Sequence, residues 1–340
     1  MAKARIAING FGRIGRLFFR QAWDNKNLEI VAINDLGDIE NLAYLLKYDT
    51  VYRQFSSEIK IRGNNLLVDG KSVKVLQEKD PAKLPWKNLK IDIAVESTGF
   101  FESFEKASMH LTAGAKRVVI TAPAKDKERS DAKTVLLGVN EEQFKKCKIT
   151  SNGSCTTNAT SPLAAIMLET VGVKKAFLNT VHGYTATQNL TDGPTKGKDF
   201  RRGRAAAQNI SPSFTGAAIS VVRALPELEG KFDGVAMRVP VITGSIADFT
   251  FLAKRKTSVE EINNIFRKAA KSPRWKGILK VTEDQLVSSD IIGEPYGAIV
   301  DLKFTQVVDG DFVKVFSWYD NEAGYVATLV GHVLKAAENL

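Results

Sequence analysis

The apolar positions of the first 150 residues come in short runs separated by helix-like stretches, the rhythm of βαβ units on a mostly parallel sheet. Runs at residues 5–8, 29–34, 91–96, 118–121 and 135–139 predict the strands, with glycines and prolines punctuating them. Residues 60–75 break the rhythm. There apolar and polar positions alternate around Gly63-Asn64-Asn65 and Asp69-Gly70, which predicts an antiparallel insertion. Beyond residue 155 the texture changes: an alanine-rich helix over 159–170 precedes a strand at 176–181, and then residues 187–210 run polar and without period. A structureless stretch of that length is usually functional. Longer runs at 234–239, 245–253, 298–304 and 312–319 predict an antiparallel sheet. Ser258-Val259-Glu260-Glu261 reads as a capping box for a helix to Lys271, and an amphipathic helix, about 322–339, ends the chain.

The predicted fold class is therefore α/β plus α+β: a doubly wound parallel sheet, then a second domain on a mostly antiparallel sheet. A length of 340 residues agrees, because a single core usually stops growing before that size. The hydrophobic share of 44% and charged share of 25% are those of an ordinary globular protein and exclude a disordered or fibrous chain. No apolar run is long enough to span a bilayer, and the opening MAKARIAING has no signal-peptide layout, so a cytoplasmic protein without a membrane partner is expected. The only cysteines, Cys147 and Cys155, are not a disulfide framework. A net charge of +10 favours anionic partners without choosing among phosphorylated metabolites, nucleotides and nucleic acid.

Two clusters of residues carry candidate chemistry. Gly10-Phe11-Gly12-Arg13-Ile14-Gly15 follows a predicted strand and opens a helical stretch, where glycines let the backbone approach a pyrophosphate lying on helix N–H groups. Asp35, 20 residues past Gly15 at the end of the next strand, can accept from a ribose 2′-OH and would repel a 2′-phosphate. Followed by apolar Leu36, it argues for NAD over NADP. The second cluster surrounds Cys155 in Ser151-Asn152-Gly153-Ser154-Cys155-Thr156-Thr157-Asn158, where a strand hands over to a helix. A helix N-terminus raises the thiolate fraction of a cysteine. His182, one of three histidines, ends the strand at 176–181 and could face the sulfur, hold it as thiolate and take a proton from an adduct. Cys147, among Lys145, Lys146 and Lys148, reads as structural.

An activated thiol beside a dinucleotide domain suggests addition to an aldehyde, hydride loss and a thioester. Ser154, Thr156, Thr185, Thr215, Gly216 and Arg238 are candidate anion ligands for its release, although their spacing alone cannot bring them together.

These residues resemble one family along essentially the whole chain: phosphorylating glyceraldehyde-3-phosphate dehydrogenase. The most specific pieces are residues 9–16, 151–158, 182–187, 213–217, 236–240 and 318–325. The resemblance implies Cys155 as nucleophile and His182 as its activator. It implies Thr185 and Arg238 at the substrate's phosphate, and Ser154, Thr156, Thr215 and Gly216 around the attacking inorganic phosphate. It places Gly10, Phe11, Gly12, Arg13, Ile14 and Asp35 on cofactor positions, with Lys79, Thr98 and Phe101 near the adenine, Thr121 near the ribose and Asn321 on the nicotinamide carboxamide.

The implied organisation is a Rossmann NAD domain (1–154), a catalytic domain (155–320) with an S-shaped loop at about 187–210, and a terminal helix (321–340) returning to the first domain. Glyceraldehyde 3-phosphate, inorganic phosphate and three further copies of the chain are the implied partners. Erythrose-4-phosphate dehydrogenase is the related alternative. A polyanion patch of Lys196, Lys198, Arg201, Arg202 and Arg204 is an alternative from another class. The chain departs from the usual pattern at Gly153 (commonly alanine), at Ala159 (a second cysteine in relatives), at Lys79 (frequently arginine) and in a loop one residue longer around Lys196-Gly197-Lys198. Lysine at 79 keeps a charge but loses the planar fork of arginine.

Overall fold

The computed structural model describes residues 3–195 and 198–340. They form two compact units, one running to Gly153 and including Leu329–Leu340, the other Ser154–Thr328.

The first unit begins with β1 (Ala4–Asn9), α1 (Arg13–Ala22), β2 (Leu28–Asn34) and α2 (Ile39–Lys47), then a hairpin-linked trio β3 (Ile59–Arg62), β4 (Asn65–Val68) and β5 (Lys71–Leu76). It continues through β6 (Ile93–Glu96), two short helices α3 (Phe104–Ala107) and α4 (Met109–Thr112), β7 (Arg117–Ile120), β8 (Ala132–Thr134) and β9 (Ile149–Ser151). These make a nine-stranded sheet in the order β3-β4-β5-β2-β1-β6-β7-β9-β8, antiparallel only where β4 meets its two neighbours. The central strands are buried on both faces, as parallel strands covered by helices must be. From β1 the chain crosses to β2 on one side and later reaches β6 on the other. The carboxyl end of β1 is thus the topological switch point, where doubly wound sheets bind ligands.

One expected strand moves. Residues 135–139 form a turn, and the strand is Ala132–Thr134. The cause is Asn140, whose side chain accepts from Leu136 N at 2.8 Å and donates to Thr134 O at 2.9 Å, folding the apolar run back on itself. The run is apolar because it is buried, not because it is extended.

The second unit opens with α5 (Cys155–Thr170), followed by β10 (Val173–Gly183), the polar segment, β11 (Ser211–Phe214), α6 (Ala217–Ala224), β12 (Phe232–Val239) and β13 (Ser245–Ala253). It then adds α7 (Val259–Ala270), β14 (Leu279–Thr282), β15 (Ala298–Val308), β16 (Phe312–Tyr319) and the start of α8 (Ala323–Ala337). The sheet order is β11-β12-β10-β13-β16-β15-β14. It is mostly antiparallel, but β10 pairs with β12 in parallel, as does β14 with β15. Residues 234–239 belong to this mostly antiparallel sheet as expected, and the parallel pairing of β12 with β10 sets His182 directly beside Arg238. α5 is buried from Thr156 to Met167 and, with α6, covers one face of this sheet. The opposite face of the chain leaves Phe177, Val181 and Phe312 exposed.

Helix α5 starts four residues earlier than its alanine-rich stretch predicts. Ser154 caps it: its Oγ accepts from Thr157 N at 3.1 Å, while Thr157 Oγ1 accepts from Ser154 N at 3.0 Å. At α7, Ser258 accepts from Glu261 N, but the Glu261 carboxylate turns to Arg255 and Thr257 instead of closing the box.

Candidate active site

The three glycines of the first motif divide the work. Gly10 has φ of 93°, and a Cβ there would lie 2.6 Å from the backbone of Ser97 and Thr98. A Cβ at Gly15 would lie 2.1 Å from Gly10 O, so this glycine lets α1 pack against the turn. At Gly12 a Cβ would meet nothing within 4 Å, and Gly12 is the N-cap of α1 with no side-chain cap. The N–H groups of a helix's first turn have no intrahelical acceptor. This is a cradle for an anion, built by leaving space and donors.

Above it lies a cavity of about 690 Å³ lined by Gly10, Gly12, Asp35, Leu36, Lys79, Thr98 and Phe101, among others. Asp35 clamps the motif to β2, with Oδ2 accepting from Phe11 N at 2.7 Å and Oδ1 from Gly37 N at 2.8 Å. Each oxygen keeps a second lone pair for a ribose hydroxyl. Phe11 contributes its N–H, while its ring is buried against Phe19. Arg13 directs its guanidinium to Asp49 and over the Tyr52 ring, so only its backbone belongs to the cradle. Ile14 sits half-buried in the first turn of α1. Thr121 does not line the cavity. Its N–H pairs with Glu96 O at 3.0 Å just past β7.

Beneath the cavity is a buried polar network that sequence reasoning did not single out. Glu96 Oε2 accepts from Asn9 Nδ2 at 2.6 Å and lies 2.9 Å from His110 Nε2, while Oε1 accepts from Thr98 N at 2.8 Å and from the Thr98 hydroxyl. Trp86 Nε1 donates to His110 Nδ1 at 3.0 Å, which obliges Nε2 to carry the ring proton and donate to Glu96. Asn34 extends the chain, donating to Asn9 Oδ1 at 2.7 Å and to Glu78 O at 2.9 Å. Asn9, Asn34 and Thr98 all reach the cavity wall.

In the second unit, Cys155 is the first residue of α5 and His182 lies near the end of β10; Sγ and Nε2 are 3.3 Å apart. Burial, the largest effect, pushes the Cys155 thiol up, with Arg238 and the Thr156 hydroxyl and N–H pulling the other way. Burial and then Arg238 push His182 down to about 3. Burial thus works against the charge of both groups, while Arg238 and the first N–H groups of α5 favour the thiolate. The ring is fixed edge-on to Tyr319, whose Oη shares hydrogen bonds with Thr156 Oγ1 at 2.8 Å and Thr180 Oγ1 at 2.7 Å.

Arg238, directly across from His182 in the strand register, places Nη1 2.6 Å from His182 Nδ1. Its Nε is buried without a partner among the described residues, an orphaned donor of the kind an anion satisfies. Thr185 Oγ1 lies 2.9 Å from Thr187 Oγ1, and Arg202 donates to Thr187 Oγ1 at 2.8 Å and to Ser213 Oγ at 2.9 Å. Arg202 thus ties the polar segment to the strand that leads to Thr215 and Gly216, a role masked in the sequence by the charges around it. Thr215 Oγ1 accepts from Ala217 N at 3.2 Å, and Gly216 is the exposed N-cap of α6. Thr156 is buried, with its hydroxyl turned inward to Tyr319, so its backbone is what it can offer an anion. Asn321 is also buried: Oδ1 accepts from Gly244 N at 2.9 Å and Ser245 Oγ at 3.0 Å, which aims its amide nitrogen.

The polar segment is ordered by its own hydrogen bonds, including Asn189 N to Arg202 O and Gly193 N to Gly203 O. Arg201 pairs with Asp199 and Arg204 with Asp192, which neutralises much of the expected polyanion patch. Lys196 and Gly197, part of that patch and of the longer loop, lie outside the described residues.

A Rossmann-type unit with an open helix N-terminus at its glycine turn, in one chain with a unit carrying a thiol–imidazole pair at a helix N-terminus, fits the class of dinucleotide-dependent oxidoreductases that work through a cysteine. Residues 4–104 match the family model described as glyceraldehyde 3-phosphate dehydrogenase, NAD binding domain, and residues 154–321 match that family's C-terminal domain. The chain is 46% identical over 329 residues to the glyceraldehyde-3-phosphate dehydrogenase of Streptomyces coelicolor, covering 96% of each chain. It is 47% identical over 333 residues to that of Borreliella burgdorferi, covering 96% of this chain and 97% of the relative. It is 46% identical over 336 residues to glyceraldehyde-3-phosphate dehydrogenase 2 of Kluyveromyces marxianus, covering 98% and 99%. The chain belongs to the glyceraldehyde-3-phosphate dehydrogenase family, and its cofactor is NAD.

Proposed function

We propose that this protein catalyses the reversible, NAD-dependent oxidation and phosphorylation of glyceraldehyde 3-phosphate to 1,3-bisphosphoglycerate, a step of central carbon metabolism. The observation that carries the reading is Cys155 Sγ at the start of α5, 3.3 Å from His182 Nε2, with the half-buried Arg238 guanidinium alongside.

In this reading the sulfur of Cys155 bonds to the aldehyde carbon, and the thiol proton passes through His182 Nε2 to the carbonyl oxygen, giving a hemithioacetal. His182 then takes the hydroxyl proton as hydride leaves carbon, and a thioester remains on Cys155. NAD, when bound, supplies the acceptor for that hydride. Inorganic phosphate adds to the thioester carbon, and the sulfur leaves as thiolate, releasing the acyl phosphate. Arg238 and Thr185 hold the substrate's own phosphate. Ser154, Thr156, Thr215 and Gly216 surround the attacking one, Thr156 through its backbone. Asn321 serves the nicotinamide carboxamide through its amide, and Asp35 the adenosine ribose through its carboxylate.

The protein works as a homotetramer in the cytoplasm. Support for assembly is the sheet face that leaves Phe177 51% and Phe312 47% exposed. No helix among the described residues is long and apolar enough to cross a membrane. The test is NAD reduction with glyceraldehyde 3-phosphate, with and without phosphate or arsenate. Rapid turnover is expected only with the anion. Turnover that ignores it would replace phosphate by water in the last step, and Cys155→Ala activity near wild type would end the thioester route.

A further inference from the structure

The wall of the dinucleotide cavity has a hydrogen-bond polarity, and it is set below the surface. Trp86 Nε1 can only donate, and it occupies His110 Nδ1 at 3.0 Å. His110 Nε2 therefore turns its proton to Glu96 Oε2 at 2.9 Å, where Asn9 Nδ2 also donates at 2.6 Å. Thr98 N donates to the other oxygen, Oε1, at 2.8 Å. Among these fixed donors the carboxylate accepts on both oxygens, and the Thr98 hydroxyl spends its only proton on Oε1.

The consequence reaches the cavity through Thr98, Asn34 and Ser97, all of which line it. Thr98 Oγ1 accepts from Phe100 N at 3.1 Å and keeps one lone pair. Asn34 gives its two amide N–H bonds to Asn9 Oδ1 at 2.7 Å and Glu78 O at 2.9 Å, while its Oδ1 accepts from Glu78 N at 2.8 Å. The backbone of Glu78 thus fixes which way that amide faces. Ser97 donates its hydroxyl to Gly10 O at 2.7 Å. What these three side chains can still offer a ligand is lone pairs. Lys79 and Lys106 also line the cavity, but they are exposed, and their ammonium groups stay hydrated whichever base binds.

An acceptor wall needs a donor. Adenine joined to ribose has N–H bonds only on its 6-amino group, whereas hypoxanthine has an oxygen there and a proton on N1. We propose, building on the reading of this cavity as the adenosine end of the NAD site, that Glu96 selects the base: by consuming the Thr98 proton it leaves a wall that can receive a 6-amino group and cannot satisfy a 6-oxo group. Glu96 is buried and acts through Thr98, so it is a positioning residue. Apolar Leu36, Phe101 and Met109 in the same wall hold any purine alike, and discrimination falls to the polar edge.

The test uses NAD and nicotinamide hypoxanthine dinucleotide, which differ only at the 6-position of the base and in the N1 proton that goes with it. Each is titrated calorimetrically into the whole enzyme without aldehyde or phosphate. Wild type should hold NAD tighter by roughly 10- to 100-fold. In Glu96→Gln the new amide nitrogen can donate to Thr98 Oγ1 and turn the hydroxyl proton into the cavity, so the ratio of the two affinities should fall to about one or below. Because that substitution also costs stability, Thr98→Val and Thr98→Ser carry the test a second way. The first removes the lone pair and should lower the ratio, and the second keeps the hydroxyl and should keep the ratio. A purely structural role for Glu96 would weaken both dinucleotides alike and leave the ratio where it was. A wild-type ratio near one, or an undiminished ratio in folded Glu96→Gln or in Thr98→Val, would overturn the proposal. Asp35→Ala should weaken both dinucleotides equally; if it weakened neither, the reading of the cavity itself would fall, an outcome that the ratios cannot imitate.

Discussion

Replacing Glu96 by glutamine changes one atom and tests the floor of the dinucleotide cavity. The carboxylate accepts from Asn9 Nδ2, His110 Nε2, Thr98 N and the Thr98 hydroxyl, and three of these four donors cannot reverse. His110 cannot, because Trp86 occupies its other nitrogen. An amide NH₂ placed toward Asn9 and His110 would oppose two donors. Turned the other way it opposes Thr98 N, while the hydroxyl can rotate to accept. The milder arrangement still loses one charged-acceptor bond and leaves a buried N–H unmet, about 2–4 kcal/mol. For a unit of this size that lowers the calorimetric transition by roughly 4–16 °C. Because Thr98, Asn9 and Asn34 wall the cavity, ADP-ribose affinity measured by isothermal titration should fall about tenfold or more. A transition within 2 °C of wild type (roughly the shift expected for about 1 kcal/mol) with unchanged ADP-ribose affinity would refute the reasoning, since the acceptors at Glu96 would then not support the cavity wall.

The glycines should separate folding from binding: Gly12→Ala is expected to melt near wild type but lose NAD affinity, whereas Gly15→Ala, with its Cβ at 2.1 Å from Gly10 O, should not fold stably. Equal melting of the two by circular dichroism would contradict this division. His182 and His332 are both held down to about 3 by burial. The unfolded chain takes up their protons near pH 6.5 and the folded chain does not, so their stability is complete above that pH and is lost as pH falls toward 3, by about 1.4 kcal/mol per pH unit for each. Melting temperatures between pH 7.5 and 5 should fall, and a flat profile would show that these rings charge without unfolding. Asp35→Ala with Leu36→Thr should raise the NADP-to-NAD ratio of kcat/KM, and an unchanged ratio would mean that Asp35 does not read the ribose.

What could be read beforehand followed from local rules. The glycine spacing and Asp35 are read within one βαβ unit, and Cys155 at a strand-to-helix junction needs only its neighbours. What stayed hidden was set by pairing across the chain. The parallel register that brings Arg238 beside His182 comes from a crossover, and no periodicity in residues 232–239 reveals its direction. The Glu96–His110–Trp86 network joins three stretches whose polar residues look like isolated exceptions in apolar runs. Residues 135–139 misled because burial in a turn leaves the same apolar signature as burial in a short strand, and Asn140, the residue that decides, lies outside the run.

One turn beyond Cys155 on α5, Ala159 is fully buried and packs with Leu178, Ala217, Ala247 and Tyr319, against which the cysteine also lies. Peroxide that converts Cys155 to a sulfenic acid therefore produces a centre with no resolving thiol on its own helix. Recovery falls to a diffusible small thiol, and the damaged enzyme waits as a mixed disulfide instead of an internal bridge.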